Sequence, residues 1–358
     1  VGVAYYLLSW VRHTLRQRQW FDAAQRPEPN LGQFLDLVAL GTVADVVPLD
    51  RNNRILVHQG LLRMRQGHTR PGIRALAEVG KRDLTQLSAQ DLGFAIGPRL
   101  NAAGRLQDMS VGIRCLLADN VATARSLAQE LDGLNKDRRE IEQGMVAEAE
   151  LLLAQVSKTD DAKGIAVYHE RFHQGVVGIV AGRLRERLHR PAIVFADSSE
   201  GAVGEIKGSA RSIDGLNIRD VLDTIATRYP GLLIKFGGHA MAAGLSLKRV
   251  HFERFSNIFA EVVAELVSED ALSAKCFVDG GLSEQELTLD TVQSLFNAGP
   301  WGNGFPEPAF CDDFELISQR VVGEQHLKLV LRKEARLIDA IAFRQPALAQ
   351  ETKRLRVV

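Results

Sequence analysis

The feature that most constrains this chain is a long run of helical periodicity near its middle. From Asn120 to about Val156, the residues Val121, Ala124, Leu127, Leu131, Leu134, Ile141, Met145, Ala149, Leu152 and Val156 recur at three- or four-residue steps, or at seven where a polar residue intervenes. Between them lies the densely charged NKDRREIEQ. A helix that long and that wet over most of its circumference predicts a strut between two domains, and the grammar of the chain differs on its two sides.

Upstream, apolar residues repeat at helical spacing (Val3, Tyr6, Leu7, Trp10, Val11, Leu15) and give way to a polar loop with Pro27 and Pro29. The apolar FLDLVALGTVADVVPL follows at 34–49, helices are predicted at 53–66 and 72–79, and SAQD at 88–91 has the form of a capping box before LGFAIG. Downstream of the polar SKTDDAK, short β-like runs alternate with helices: GIAVY (164–168), a helix over 176–189, PAIVFA (191–196), a Gly-rich stretch to Ser212, a helix over 217–228, LLIKF (232–236) and a helix over 251–267. This predicts an α/β domain of roughly 110 residues. The last part has two short helices, the loop AGPWGNGFPEP, then FELISQRVV, HLKLVLR and LIDAIAF at the spacing of a β-meander or small barrel. The expected division is 1–100, a connecting segment 101–157, an α/β domain 158–270 and a β-barrel domain 271–358.

Composition narrows the function classes. Forty-six per cent apolar residues suit a globular core, and 44 basic against 44 acidic residues leave no net charge. Nucleic-acid binding would therefore need a local basic groove. Cys115, Cys276 and Cys311 are scattered and odd in number, against both a disulfide framework and a thiolate metal site, which predicts a reducing, cytoplasmic setting. No apolar run reaches the roughly 18–20 residues of a membrane span. The chain opens on Val1 without a leader and stops inside a β-like run, so the expectation is a segment of a longer polypeptide whose barrel is cut short.

Four stretches have the residue types of a binding site. Asp45, set between apolar neighbours, would need a cation, a metal or backbone donors; the plain alternative is a helix-end cap or an ion pair with Arg51 or Arg54. GPRLNAAGRL (97–106) puts Asn101 and Arg105 four apart beside small residues, which suits a phosphodiester backbone or, equally, a structural cap with a solvated arginine. KGSARS (207–212) offers Ser209, Arg211 and Ser212 beside a glycine, the donors of a phosphate pocket. KFGGHAMAAG (235–244) places Gly237 and Gly238 after a strand, where backbone amides can approach a ligand, with His239 as a further donor. HERFH (169–173) matches the zinc-protease pattern letter for letter, but it follows a strand-like run and precedes Gln174-Gly175, so a strand-to-helix loop is expected instead of a metal-binding helix.

Taken together these pieces resemble the single-stranded-DNA-specific 5′-to-3′ exonucleases of the DHH phosphoesterase superfamily. LVALGTVADVVPL is similar to the last motif of the DHH catalytic domain, which implies that Asp45 is a catalytic metal ligand. PRLNAAGRL is similar to the segment leading to the interdomain helix, which implies DNA-backbone contacts from Asn101 and Arg105. HQGVVGIVAGRL, GSARS and GGHAMAAG resemble the associated DHHA1 domain. They imply backbone contacts from His173, Gly175 and Arg183, and a 5′-phosphate seat of Ser209, Arg211, Ser212, Gly237, Gly238 and His239. GPWGNGFPEPAF and the strands after it resemble an oligonucleotide-binding (OB) fold. The resemblance implies two Mn²⁺ or Mg²⁺ ions and no zinc, single-stranded DNA as substrate, a single-strand-binding protein as partner, and work in recombination and repair. The family's earlier metal-binding motifs have no counterpart here, so these residues are expected to bind DNA with little or no nuclease activity. The alternatives are a small-oligonucleotide phosphoesterase, or a non-catalytic DNA-binding scaffold.

Overall fold

The computed structural model describes residues 1–155, 162–198, 204–323, 326–343, 345–349 and 352–358. Its first part is helical: α1 (Gly2–Gln17), α2 (Trp20–Ala23), α3 (Leu35–Ala44), α4 (Arg51–Arg65), α5 (Pro71–Val79), α6 (Ala89–Asp91), α7 (Gly97–Leu106), α8 (Ser110–Leu117) and α9 (Val121–Gln155). An α/β stretch follows, with β1 (Ile165–Tyr168), α10 (Val177–Leu188), β2 (Ala192–Asp197), β3 (Glu205–Arg211), α11 (Ile218–Arg228), β4 (Lys235–Gly238), β5 (Ala242–Lys248) and α12 (Phe252–Leu266). The chain closes with α13 (Leu289–Ala298), β6 (Asp312–Val322), β7 (His326–Lys333), β8 (Arg336–Phe343) and β9 (Arg354–Val357).

Packing groups these elements into two compact units, residues 1–69, 82–97 and 276–358 in one and residues 70–81 and 98–275 in the other. This differs from a reading in sequence order. The early α5 belongs with the α/β elements, while the carboxy-terminal strands share a unit with α3 and α4.

In the first unit, α3 is apolar around its circumference and so is a buried helix. Its one buried carboxylate, Asp36, accepts from the Leu37 amide (2.7 Å) and the Thr69 hydroxyl (3.1 Å). Asp50 caps α4 by accepting from the Asn53 amide. The two helices close on each other at Gly60, where a Cβ would stand 2.3 Å from the Leu35 carbonyl oxygen. The capping box at Ser88–Asp91 is present, and the π-helical Leu92–Ile96 continues from it. Strands β6 to β9 form an antiparallel sheet in the order β8-β7-β6-β9, with Leu327, Leu329 and Leu331 buried on its inner face.

In the second unit, α9 is not a bare strut. It packs on α5, α8, α10 and β1 and buries Ala124, Ala128, Leu131, Leu134, Met145 and Ala149; Val156 lies outside the described residues. Midway the apolar stripe is interrupted by buried Asn135 and Glu142, with Arg138 beside them. The sheet has the order β1-β2-β3-β5-β4, with β1 and β2 parallel and the other pairs antiparallel. One face carries Phe195, Ile206, Leu245 and Leu247 against α11 and α12. The other is covered at its β1–β2 end by α10 and by Met145 and Ala149 of α9, which leaves the outward face of β3, β5 and β4 to form a cleft. No helix among the described residues is long and apolar enough to cross a membrane.

Candidate functional site

The alternation of β3 decides what lines the cleft. Ile206, Gly208 and Ala210 are buried, so Lys207, Ser209 and Arg211 point to the opposite face. Register then carries that face across the sheet: Lys207 stands opposite Ser246 and Ser246 opposite Lys235, while Ser209 stands opposite Gly244 and Gly244 opposite Gly237. Glycine at both 244 and 237 leaves bare backbone, and a Cβ at either would meet nothing within 4 Å. The floor is therefore flat, open and flanked by cations.

The roof is the start of α10 and the loop before it. Val176, at the N-cap position, provides no side-chain cap, so the positive end of the helix dipole faces the cleft. Gly178 must be small, because a Cβ there would sit 2.8 Å from Arg211 Nη2 and 3.0 Å from Ser209 Oγ. Gly175 is constrained too: its Cβ would meet the Arg105 carbonyl oxygen at 2.2 Å, and its own carbonyl accepts from Arg105 Nη1 at 3.1 Å.

The cleft encloses about 510 Å³, and its lining includes Arg105, Lys207, Arg211 and Lys235 with no carboxylate. Arg211 donates to Ser209 Oγ (3.0 Å) and the Ala210 carbonyl (2.8 Å), and among the described residues no carboxylate pairs with it. Burial first, then the charges of Arg105 and Arg185, press its guanidinium below the ordinary arginine value. An anion entering the cleft would offset the repulsion among these cations.

Among the residues singled out in the sequence, Arg105, Gly175, Ser209, Arg211 and Gly237 line this cleft. The rest are placed otherwise. Ser212 is 1% exposed and its hydroxyl donates to the Leu216 carbonyl at 2.6 Å, so it closes a turn and has nothing left for a phosphate. Gly238 and His239 belong to the β4–β5 hairpin, where the His239 amide donates to the Ala242 carbonyl; Gly238, at φ 148°, would bring a Cβ 2.5 Å from that same oxygen. Arg183 is turned toward α9, paired with Glu142 (3.0 Å) and Glu186 (3.3 Å), and Glu142 also receives Arg138 (2.9 Å). Asn101 is exposed on α7 outside the lining. His173 is likewise exposed and outside the lining, and it holds the loop, its Nδ1 accepting from the Gly175 amide at 3.1 Å. Lys207 was missed because KGSARS reads as a Gly-rich loop until it is seen as a strand, its period-two Lys-Ser-Arg pattern being the available signal, whereas Lys235 and Ser246 join it only through pairing across the sheet and Gly178 only through packing of α10 on β3.

Asp45 stands exposed at the end of α3, without the ion pair to Arg51 or Arg54 that its neighbourhood suggested among the described residues. The turn after it is a Schellman motif: the Val46 amide donates to the Val43 carbonyl and the Val47 amide to the Thr42 carbonyl, both at 3.1 Å. Val46 occupies the left-handed position at φ 54°, which a β-branched residue adopts only under strain. The loop of residues 299–306 grips this turn from the far end of the sequence. Asn303 Nδ2 donates to the Val46 carbonyl (2.8 Å), the Asn303 carbonyl accepts from the Leu49 amide (2.6 Å), and Arg54 lies 4.0 Å over the Phe305 ring. Asp45 offers at most two oxygens, whereas each of two hard divalent ions takes about six ligands. No group of three or more His, Cys, Asp or Glu side chains suited to a metal occurs among the described residues, so these residues do not by themselves fit a two-ion centre. HERFH is a loop between β1 and α10 that puts no two imidazoles on one helical turn. His169 instead faces Glu148, with Nε2 to Oε1 at 3.6 Å.

Comparison with known proteins agrees with this architecture. Residues 161–265 match the DHHA1 domain and residues 278–358 the RecJ OB domain. The chain is 54% identical to the single-stranded-DNA-specific exonuclease RecJ of Salmonella typhimurium, over 96% of this chain and 60% of that protein, and equally to that of Escherichia coli K12. The crystal structure of Thermus thermophilus RecJ in complex with Mg²⁺ superposes with a TM-score of 0.77 at 31% identity, covering 94% of this chain and 50% of that one. The chain thus spans 60% of the length of the first of these relatives. A DHHA1 domain followed by a RecJ OB domain, with high identity along nearly the whole chain, places it in the RecJ family.

Proposed function

We propose that this chain is the substrate-gripping part of a single-stranded-DNA-specific exonuclease that works from the 5′ end. The observation that carries the reading is the cleft of β3, β5, β4 and α10: four cations, a serine hydroxyl and an uncapped helix start, with no carboxylate among them. Such a site suits a phosphate, and Arg211 with Ser209 would seat the 5′-terminal one. Arg105 would hold a neighbouring backbone phosphate, with Asn101 and His173 beside it. Gripping phosphates and not base edges implies little sequence preference and steep salt dependence.

Hydrolysis in the whole enzyme would use two divalent ions, Mn²⁺ or Mg²⁺, of which Asp45 would hold one; solved relatives contain one or the other metal. Zinc has no part in this reading. The 358 residues by themselves would bind single-stranded DNA and release little or no mononucleotide. Work in recombination and repair, in the cytoplasm and beside a single-strand-binding protein, fits such an enzyme.

The test compares a 5′-phosphorylated with a 5′-hydroxyl single strand by fluorescence anisotropy. Arg211→Ala removes a charge-assisted contact of about 1.5–3 kcal/mol, so affinity for the phosphorylated end should fall roughly 10- to 150-fold while the hydroxyl end changes little. Equal losses for both ends remove Arg211 from the seat. Robust mononucleotide release by this chain with Mn²⁺ sinks the claim that it binds without cleaving.

A further inference from the structure

The first unit holds a cavity of about 630 Å³ whose chemistry is the opposite of the phosphate cleft. Its aromatic surface comes from Phe94, Phe296 and Trp301, and Phe94 keeps 74% of its surface in solvent. An apolar ring left that bare beside a cavity costs free energy that a stacked ligand recovers. Of the two basic side chains in the lining, His58 and Arg65, the arginine donates Nε to the Leu87 carbonyl at 2.8 Å and lays its guanidinium 5.3 Å from the Phe296 centroid. Glu307 adds a carboxylate. With a lining more aromatic, aliphatic and amide than basic, the cavity suits a neutral, flat group better than a phosphate, and Gln90 and Asn297 can donate to and accept from it.

Its position narrows the ligand. Val43, Ala44, Val46 and Val47, which bracket Asp45 in the chain, form part of the wall. A substrate whose phosphodiester reaches Asp45 would lay its uncharged part here. We propose that this cavity is a nucleobase pocket, in which one unstacked base of the single strand lies against Phe94 with its edge toward the amides. The proposal rests on the single-strand reading above and adds a base-binding subsite to it.

The experiment uses this chain and two 5′-phosphorylated 12-mers at one salt concentration, oligo-dT and a fully abasic strand, with anisotropy as the readout. Wild type should prefer oligo-dT, and only oligo-dT should quench tryptophan emission, by the part that Trp301→Phe removes. Phe94→Ala should weaken oligo-dT roughly tenfold and leave the abasic strand unchanged, because a base stacked on an aromatic ring contributes on that order. Phe94→Tyr should restore the preference, which a merely structural role would not predict. Because Phe94 is so exposed, its truncation leaves the core intact, and a melting curve checks this. Equal binding of both strands by wild type, or equal losses in Phe94→Ala, overturns the pocket alone; the latter is also the outcome if an apolar peptide is the natural occupant. A wild type that binds neither strand overturns the single-strand reading, and the pocket with it.

Discussion

Gly178→Ala separates the two things a glycine at the start of α10 does, which are to weaken the helix slightly and to leave room beside Arg211. The added methyl carbon would stand 2.8 Å from Arg211 Nη2 and 3.0 Å from Ser209 Oγ, both ends of movable side chains. The fold can yield there at little cost. Alanine is also favoured over glycine within a helix by up to about 1 kcal/mol, so melting temperature should hold or rise slightly. The cleft cannot yield as cheaply. To clear the methyl, the guanidinium must leave Ser209 Oγ, now 3.0 Å away, and with it the place where a phosphate would be met. Losing one charge-assisted hydrogen bond costs about 1.5–3 kcal/mol, or roughly 10- to 150-fold in affinity. The assay pairs a thermal melt with anisotropy on 5′-phosphorylated and 5′-hydroxyl single strands. A variant that melts like wild type and keeps its full preference for the phosphorylated end would refute the assignment of this corner to phosphate.

Two further outcomes test the turn chemistry. Val46→Gly should stabilise the first unit by up to about 1 kcal/mol, because relief of left-handed strain of about 1–2 kcal/mol exceeds the added unfolded-chain entropy of about 0.5–1 kcal/mol; a lowered urea midpoint would contradict the strain argument. Ser212→Ala should destabilise the second unit by about 1–3 kcal/mol, since the Leu216 carbonyl loses its buried donor, and should leave the preference for a 5′-phosphate untouched. A selective loss of that preference would return Ser212 to the seat.

Much of the fold was legible because it follows from local patterns. The α9 stripe, the β1 and β2 runs, the capping box at Ser88 and the meander of β6 to β8 each announce themselves through period, cap or turn residues. The family was legible for a related reason: its motifs are short runs whose order along the chain is itself a signature. The strand β3 was not. Gly208 and the small Ser209 and Ala210 look like a loop, and it is the Phe195 ring, 2.5 Å from where a Gly208 Cβ would stand, that requires glycine in that strand.

By itself, then, the sequence determined most of the helices, the strands with a clear apolar pattern, and which chemical groups the chain has to offer: arginines, a lone Asp45, a glycine-rich pair of stretches. Only the tertiary structure decided which of those groups meet. Register across β3, β5 and β4 aligned Lys207 with Lys235 and Ser209 with Gly237, while a turn took Ser212 into the core and packing of α10 on α9 took Arg183 to Glu142. The turn after Asp45 was likewise completed by Asn303, 257 residues from Val46 in the chain. The physical reason is the same in each case. Side-chain direction alternates with a period set locally, but the partner that each direction finds is chosen by packing between segments remote in sequence.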